Sequence, residues 1–287
     1  MAVKNSPIYV FVPGAWHTPD TFDGIRVLLS KRGFDSEAIA LPSVGAAEPT
    51  KSGLHADIAH TNVVLRALAD QGRQIVVVTH SYGGMVGSGA VEGLGYVKRS
   101  KAGQAGGVIM VVWLAAFVTP KGKSVIDMLG GNWLPWMLLS VCVSTIPLFR
   151  PIEETDKYRY EIPFTDNHNQ DPDDGYCLSS QQETVFYHDM TPEAQATAIS
   201  KLKPHAKPSF LEPATFEPWH EMPSMYLFCD KDAALPLFVQ EGFAQTLGNP
   251  VTFHVDASHS GFLSKPEETA NGLELALKAG LEQSGIY

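Results

Sequence analysis

The run QIVVVTHSYGGMVG at residues 74–87 restricts the fold of this chain more than any other segment, because an apolar strand pattern feeds directly into Thr79-His80-Ser81-Tyr82-Gly83 and then into a small-residue helix start. A serine on a sharp strand-to-helix turn needs small residues two positions to either side, since the backbone there is strained and passes close to neighbouring elements. Gly83 meets that requirement, and Thr79 keeps a fairly small side chain where a glycine is usual. Such a turn lifts its hydroxyl above the C-terminal edge of a parallel sheet, which makes Ser81 the candidate nucleophile.

The surrounding pattern predicts an α/β fold with a mostly parallel central sheet flanked by helices. Strands are expected at 7–13, 34–41, 74–79 and 107–114, and Leu54, Ile58, Leu65 and Leu68 recur at helical spacing between them. From about Thr119 to Met222 the alternation stops. That stretch is rich in aromatics, Pro and polar clusters, including the turn-rich DNHNQDPDDG from Asp166 to Gly175, and its clearest helix signal is Thr191-Pro192. Strands resume at 225–229 and 251–255. Ser264 and Glu267 then have capping-box spacing ahead of a helix that carries Leu273, Leu277 and Leu281. The expected organisation is one core, residues 1–118 and 223–287, interrupted by a mainly helical insertion at 119–222.

Composition narrows the function. The chain has 21 Lys plus Arg against 31 Asp plus Glu, a net charge of -10, which argues against phosphate-backbone binding and hence against nucleic acid. The only stretch that suggests a membrane, WLPWMLLSVCVSTIPLF from Trp133 to Phe149, is uncharged but short and contains Pro135 and Pro147. It reads as an element that lines a pocket or faces a second copy in a homodimer. Three scattered cysteines, Cys142, Cys177 and Cys229, fit neither a disulfide framework nor a metal site. Together with an N-terminal apolar run too short for a secretory signal, they point to the cytoplasm. Neither a metal nor a cofactor is expected. His55 and His60 are five apart, off the spacing that puts two ligands on one helical face, and Gly87-Ser88-Gly89 is followed by Glu92 where a dinucleotide fingerprint needs glycine.

Two distant segments complete a candidate site around Ser81. The strand at 7–13 empties into Pro13-Gly14-Ala15-Trp16-His17, a turn able to aim a backbone N–H above the sheet edge. The strand at 251–255 is followed by Asp256-Ala257-Ser258-His259-Ser260-Gly261, which puts His259 where a base would stand. An orienting carboxylate should fall between the serine and the histidine in chain order. Asp232 is the first choice, Asp230 the second and Asp256 the third, since Asp256 is close enough to His259 to serve as a local loop cap.

On these residues the chain resembles the α/β-hydrolase superfamily along nearly its whole length. More narrowly it resembles the lid-bearing branch that holds pyrethroid-type carboxylesterases, plant methyl-ester esterases and hydroxynitrile lyases. The matching segments are Pro13 to Trp16, His80 to Gly83, Asp232 with Ala234-Leu235-Pro236, His259 with Phe262 to Glu267, and Phe186-Tyr187-His188-Asp189 in the insertion. The resemblance implies an α/β-hydrolase fold whose insertion is a lid. It also implies Ser81 as nucleophile, His259 as base, Asp232 as its orienting acid, and the N–H groups of Ala15 and Tyr82 as an oxyanion hole. Pro13 stands where the branch usually has histidine. Gly14 and Ser260 stand where a hydroxynitrile lyase would carry threonine and lysine, which counts against that activity. The implied reaction is cleavage of a small apolar ester or lactone. Gly14, Trp16, Trp133, Trp136, Phe186 and Tyr187 are the expected substrate contacts, with Phe149 near the pocket. Lactone opening, C–C cleavage, thioester release and a non-catalytic small-molecule receptor are the competing readings on the same scaffold.

Overall fold

The computed structural model describes residues 7–141 and 173–286. In chain order its strands are β1 (Pro7–Val12), β2 (Asp35–Ala38), β3 (Gln74–His80), β4 (Gly107–Leu114), β5 (Met137–Val141), β6 (Asp173–Ser179), β7 (His205–Ala206), β8 (Ser224–Cys229) and β9 (Val251–Val255). The helices are α1 (Asp23–Lys31), α2 (Leu54–Asp70), α3 (Gly83–Ala90), α4 (Tyr96–Lys101), α5 (Val125–Met128), α6 (Gln182–Val185), α7 (Pro192–Ile199), α8 (Pro208–Leu211), α9 (Leu237–Thr246), α10 (Gly261–Ser264) and α11 (Pro266–Gln283).

Six strands form one sheet in the order β2-β1-β3-β4-β8-β9, and every neighbouring pair is parallel. Alternation along each strand sends residues to opposite faces. Val10, Val12, Ile75 and Val77 pack with Leu65 and Leu68 of α2 and Met85 and Val86 of α3. Tyr9, Phe11, Val76 and Val78 pack with Ile25 and Leu29 of α1 and Leu273 and Leu277 of α11. The chain runs outward from β1 to β2, then crosses back to β3 and continues the other way. The reversal lies between β1 and β3, and in open parallel sheets the crevice beyond the strand ends at such a switch point is where ligands bind.

Helix α3 sits unusually close to the sheet, and its glycines are the cause. A Cβ on Gly84 would lie 2.2 Å from the Phe117 carbonyl oxygen, and one on Gly87 would lie 2.3 Å from the Thr79 methyl. The second contact accounts for the threonine at the strand end. Its methyl fills the space left by Gly87, and its hydroxyl donates to the Val112 carbonyl at 2.9 Å across to β4.

Several expectations need correction. The strand expected at 34–41 is only four residues long, because the chain bends away after Ala38 and only the Ile39 N–H continues to bond to β1, at the Phe11 carbonyl. Ser264 does not cap the last helix: α11 opens at Lys265 with Pro266 in its first turn, and Ser264 ends the short α10. A residue before proline is driven out of the helical region, which moves the boundary past Ser264. The stretch expected to be a mainly helical insertion holds, among the described residues, α5, α6, α7 and α8 together with a three-stranded antiparallel sheet, β5-β6-β7. Asp173 to Gly175, read as the end of a turn-rich stretch, begin β6. The Thr191 cap is present, with its hydroxyl accepting from the Ala194 N–H at 3.4 Å. Cys142, Phe149 and most of the segment from Asp166 lie outside the described residues. Among the described residues no helix is long and apolar enough to cross a membrane.

Candidate active site

Ser81 occupies the turn between β3 and α3 with φ of 54°, in the left-handed region that non-glycine residues seldom visit. The Phe117 and Gly84 N–H groups both donate to its carbonyl, at 3.1 and 3.0 Å, and fix the turn from two sides. Gly14 presses against it: a Cβ there would come within 2.9 Å of the Ser81 Cβ. The turn after β1 is therefore seated directly on the turn after β3. Trp16, in that first turn, also has a positive φ, 66°.

His259 and Asp232 come from the turns after β9 and β8. The His259 Nδ1–H donates to Asp232 Oδ2 at 2.6 Å, with the residues 2% and 6% exposed. The other carboxylate oxygen, Oδ1, accepts from the Ala234 and Leu235 N–H groups at 2.7 and 2.8 Å, which leaves the carboxylate one orientation. The two alternative acids are engaged at the surface, Asp230 with His254 and Asp256 with Lys231, each at 2.7 Å. Of the three carboxylates, Asp232 is the one bonded to His259. Among the described residues no hydrogen bond joins Ser81 to His259, and such contacts commonly tighten only with substrate bound.

A cavity of 30 Å³, room for about two waters, is bounded by Ser81, Ala15, Tyr82 and a mostly apolar wall. Trp16 and Trp136 belong to that wall. Trp133, Phe186 and Tyr187 do not line it. Trp133 packs on Phe210, while Phe186 lies behind the wall against Trp16, Trp136 and His259. Tyr187 donates to His17 Nε2 at 2.7 Å, and His17 Nδ1–H donates in turn to the Ala15 carbonyl. The remaining wall residues, Phe117, Val125, Leu129, Leu134, Met137, Phe210, Ala234 and Leu235, went unread in the sequence. Only the position of Leu134 and Met137 within the flagged uncharged run, and of Ala234 and Leu235 beside Asp232, gave a signal.

Insertion residues also clasp the histidine turn. The Ser258 N–H donates to Asp189 Oδ2 at 2.9 Å, and the Ser258 hydroxyl donates to the Phe186 carbonyl at 3.0 Å.

Three buried histidines, His17, His80 and His205, surround this centre, and among the described residues none of them hydrogen-bonds to a carboxylate. Burial pushes His17 down to about 4 and His205 down to about 3, and holds His80 well below the ordinary imidazole range. His80 Nε2–H donates to the His259 carbonyl at 3.0 Å. Asp57, also buried, is pushed up to about 6 by desolvation. These shifts have opposite consequences. Each histidine is protonated more readily when unfolded, so its stabilising effect is complete above about pH 6.5 and is lost as the pH falls toward the folded value. Asp57 holds its proton more tightly when folded, so its effect is complete below about pH 4 and is lost as the pH rises through 6. Near pH 5, three histidines take up a proton on unfolding and one carboxylate releases one. Stability should then fall by roughly 3 kcal/mol for each unit of acidification. Urea unfolding between pH 6.5 and 4.5 measures this slope, and a flat profile would contradict it.

Among the described residues no group of His, Cys, Asp and Glu is arranged to hold a metal ion. The model of the alpha/beta hydrolase family matches residues 9–271, and the chain belongs to that family. An alpha/beta hydrolase of Aspergillus novofumigatus, nvfD, is 27% identical over 265 residues, 91% of this chain and 92% of the relative. Among solved structures, a methylesterase from Arabidopsis superposes with a TM-score of 0.67 at 19% identity, covering 95% of this chain and 99% of the other. A pyrethroid hydrolase from Sphingobium faniae gives 0.66 at 19% identity, with 96% and 99% covered.

Proposed function

We propose that this chain is a serine esterase that cleaves a small apolar carboxylic ester or lactone through an acyl-enzyme on Ser81. The observation that carries this reading is the buried Asp232–His259 hydrogen bond at the same sheet edge as a serine held at positive φ. In the reaction, His259 Nε2 accepts the Ser81 proton as the hydroxyl oxygen attacks the ester carbonyl. Asp232 keeps the other imidazole proton on Nδ1 and stabilises the imidazolium that forms. The N–H groups of Ala15 and Tyr82 donate to the developing oxyanion. His259 then gives its proton to the leaving alkoxide, and a water activated by the same imidazole releases the acid.

The substrate class follows from the wall of the cavity. Apolar side chains dominate it, so the acyl or alkyl portion buried there is apolar. Two solved structures of the same fold are described as a methylesterase and a pyrethroid hydrolase, which is in keeping with hydrolysis of an ester bond. The insertion serves as a lid in this reading: Trp136 and Met137 close the cavity from above, and 30 Å³ is too small for any ester until they move.

A fluorophosphonate probe tests the proposal. The folded chain is expected to take one phosphonyl group, at Ser81, and to lose labelling in the presence of excess phenyl or p-nitrophenyl ester. Unlabelled Ser81 in folded protein would instead favour a receptor that only binds.

A further inference from the structure

Trp16 is a bulky residue in the left-handed region, a strained conformation that persists only where its surroundings over-determine it. Three hydrogen bonds, all to the insertion, do so. Its N–H donates to His205 Nδ1 at 3.1 Å, its indole N–H donates to the Cys177 carbonyl at 2.8 Å, and its carbonyl accepts from the Lys203 N–H at 2.9 Å. Because His205 Nδ1 accepts, the imidazole proton resides on Nε2, which donates to the Ser43 hydroxyl at 2.8 Å. Ser43 passes the polarity on, its hydroxyl donating to Asp57 Oδ2 at 2.5 Å and its N–H to Oδ1 at 2.9 Å. The Tyr82 hydroxyl donates to the same Oδ2 at 2.7 Å.

The chain of donors is consistent throughout, and it ends on a fully buried carboxylate that accepts three hydrogen bonds. A buried carboxylate is expensive compared with an apolar side chain of the same volume, and a satisfied network of this kind gives rigidity in return. The two ends of this network are Trp16 and Tyr82. They are the residue after Ala15 and the residue after Ser81, so each adjoins or carries one of the N–H groups assigned to the oxyanion.

We propose that Asp57, Ser43 and His205 are positioning residues that lock the turns after β1 and β3 to each other, so that the Ala15 and Tyr82 N–H groups converge on one oxygen. The oxyanion role rests on the esterase reading above; the locking of the two turns does not. Through His205 in β7, the seating of the insertion is coupled to the aim of those donors, and an unseated insertion leaves Trp16 free to relax out of its strained conformation.

The test uses Asp57→Asn, His205→Leu and His205→Asn in the full chain, the last because its amide oxygen can take the place of Nδ1 as acceptor for the Trp16 N–H. Amide hydrogen exchange at Trp16, His17 and Tyr82 reports the lock itself. Exchange at Trp16 is expected to rise at least tenfold in His205→Leu and by less in His205→Asn, with amides of β4 and α11 unchanged. On a p-nitrophenyl ester, Asp57→Asn and His205→Leu are expected to lower kcat about 100-fold with KM within a factor of two. Affinity for a trifluoromethyl ketone should fall in proportion to kcat, because both depend on the tetrahedral oxyanion. Unchanged exchange at Trp16 in His205→Leu overturns the lock. Raised exchange with unchanged kcat, or a rise in KM alone, overturns the oxyanion role. Failure of Ser81 to label in the wild-type chain overturns the esterase reading and leaves the exchange measurement to decide the lock.

Discussion

Ser81→Ala is expected to lower ester turnover by about 10⁶-fold, close to the background rate that binding and the oxyanion donors alone can sustain. The loss is chemical, not structural. Among the described residues Ser81 Oγ makes no hydrogen bond, the carbonyl of the same residue supplies the two contacts that fix the turn, and alanine at φ 54° carries the same strain as serine. The thermal midpoint should therefore stay within a few degrees of the parent. A variant that keeps a tenth of the parental kcat would remove Ser81 from the reaction.

Asp232→Asn should cost about 10⁴-fold in kcat while leaving substrate binding nearly intact. The reason lies in the two backbone donors. Ala234 and Leu235 present N–H groups to Oδ1, so the amide oxygen of asparagine must occupy that side and its NH₂ must face His259. Two donors cannot share that 2.6 Å contact, so the imidazole shifts its proton to Nε2 and Nδ1 becomes the acceptor. Nε2 is then unable to take a proton from the serine. Steady-state kinetics on one ester resolve kcat from KM. A variant with normal kcat would mean that His259 is oriented by something other than Asp232.

The candidate site was largely legible in the sequence because its parts are local. A strand, a small-residue turn and a helix start lie within fourteen residues at 74–87. Asp232 and His259 each follow an apolar strand by a few residues. The choice among Asp230, Asp232 and Asp256 was less secure in the sequence, since all three lie at strand ends, and it is their hydrogen-bond partners that separate them. The insertion was poorly legible. Its sheet joins β5 to β6 across more than thirty residues and pairs β6 with a two-residue strand, so no single window carries an alternating pattern long enough to read. The aromatics were harder still. Trp136 lines the cavity, whereas Trp133, three positions earlier, packs instead on Phe210, itself a wall residue. The network of Ser43, Asp57 and His205 left no trace in spacing or composition, because its members come from a loop, a helix and an edge strand separated by up to 162 positions.

The contact between the Thr79 methyl and Gly87 ties two positions of the sequence into one steric unit, and it gives their divergence a direction. With threonine in place, any side chain at 87 collides with it at 2.3 Å. Once residue 79 is glycine that obstacle disappears, and the next nearest atom to a Cβ at 87 is a Val77 methyl at 3.7 Å, an ordinary packing distance. Descendants of this chain can thus reach the pairing of glycine at 79 with alanine at 87 by losing the threonine first. The reverse order passes through an intermediate in which α3 is pushed away from the end of β3.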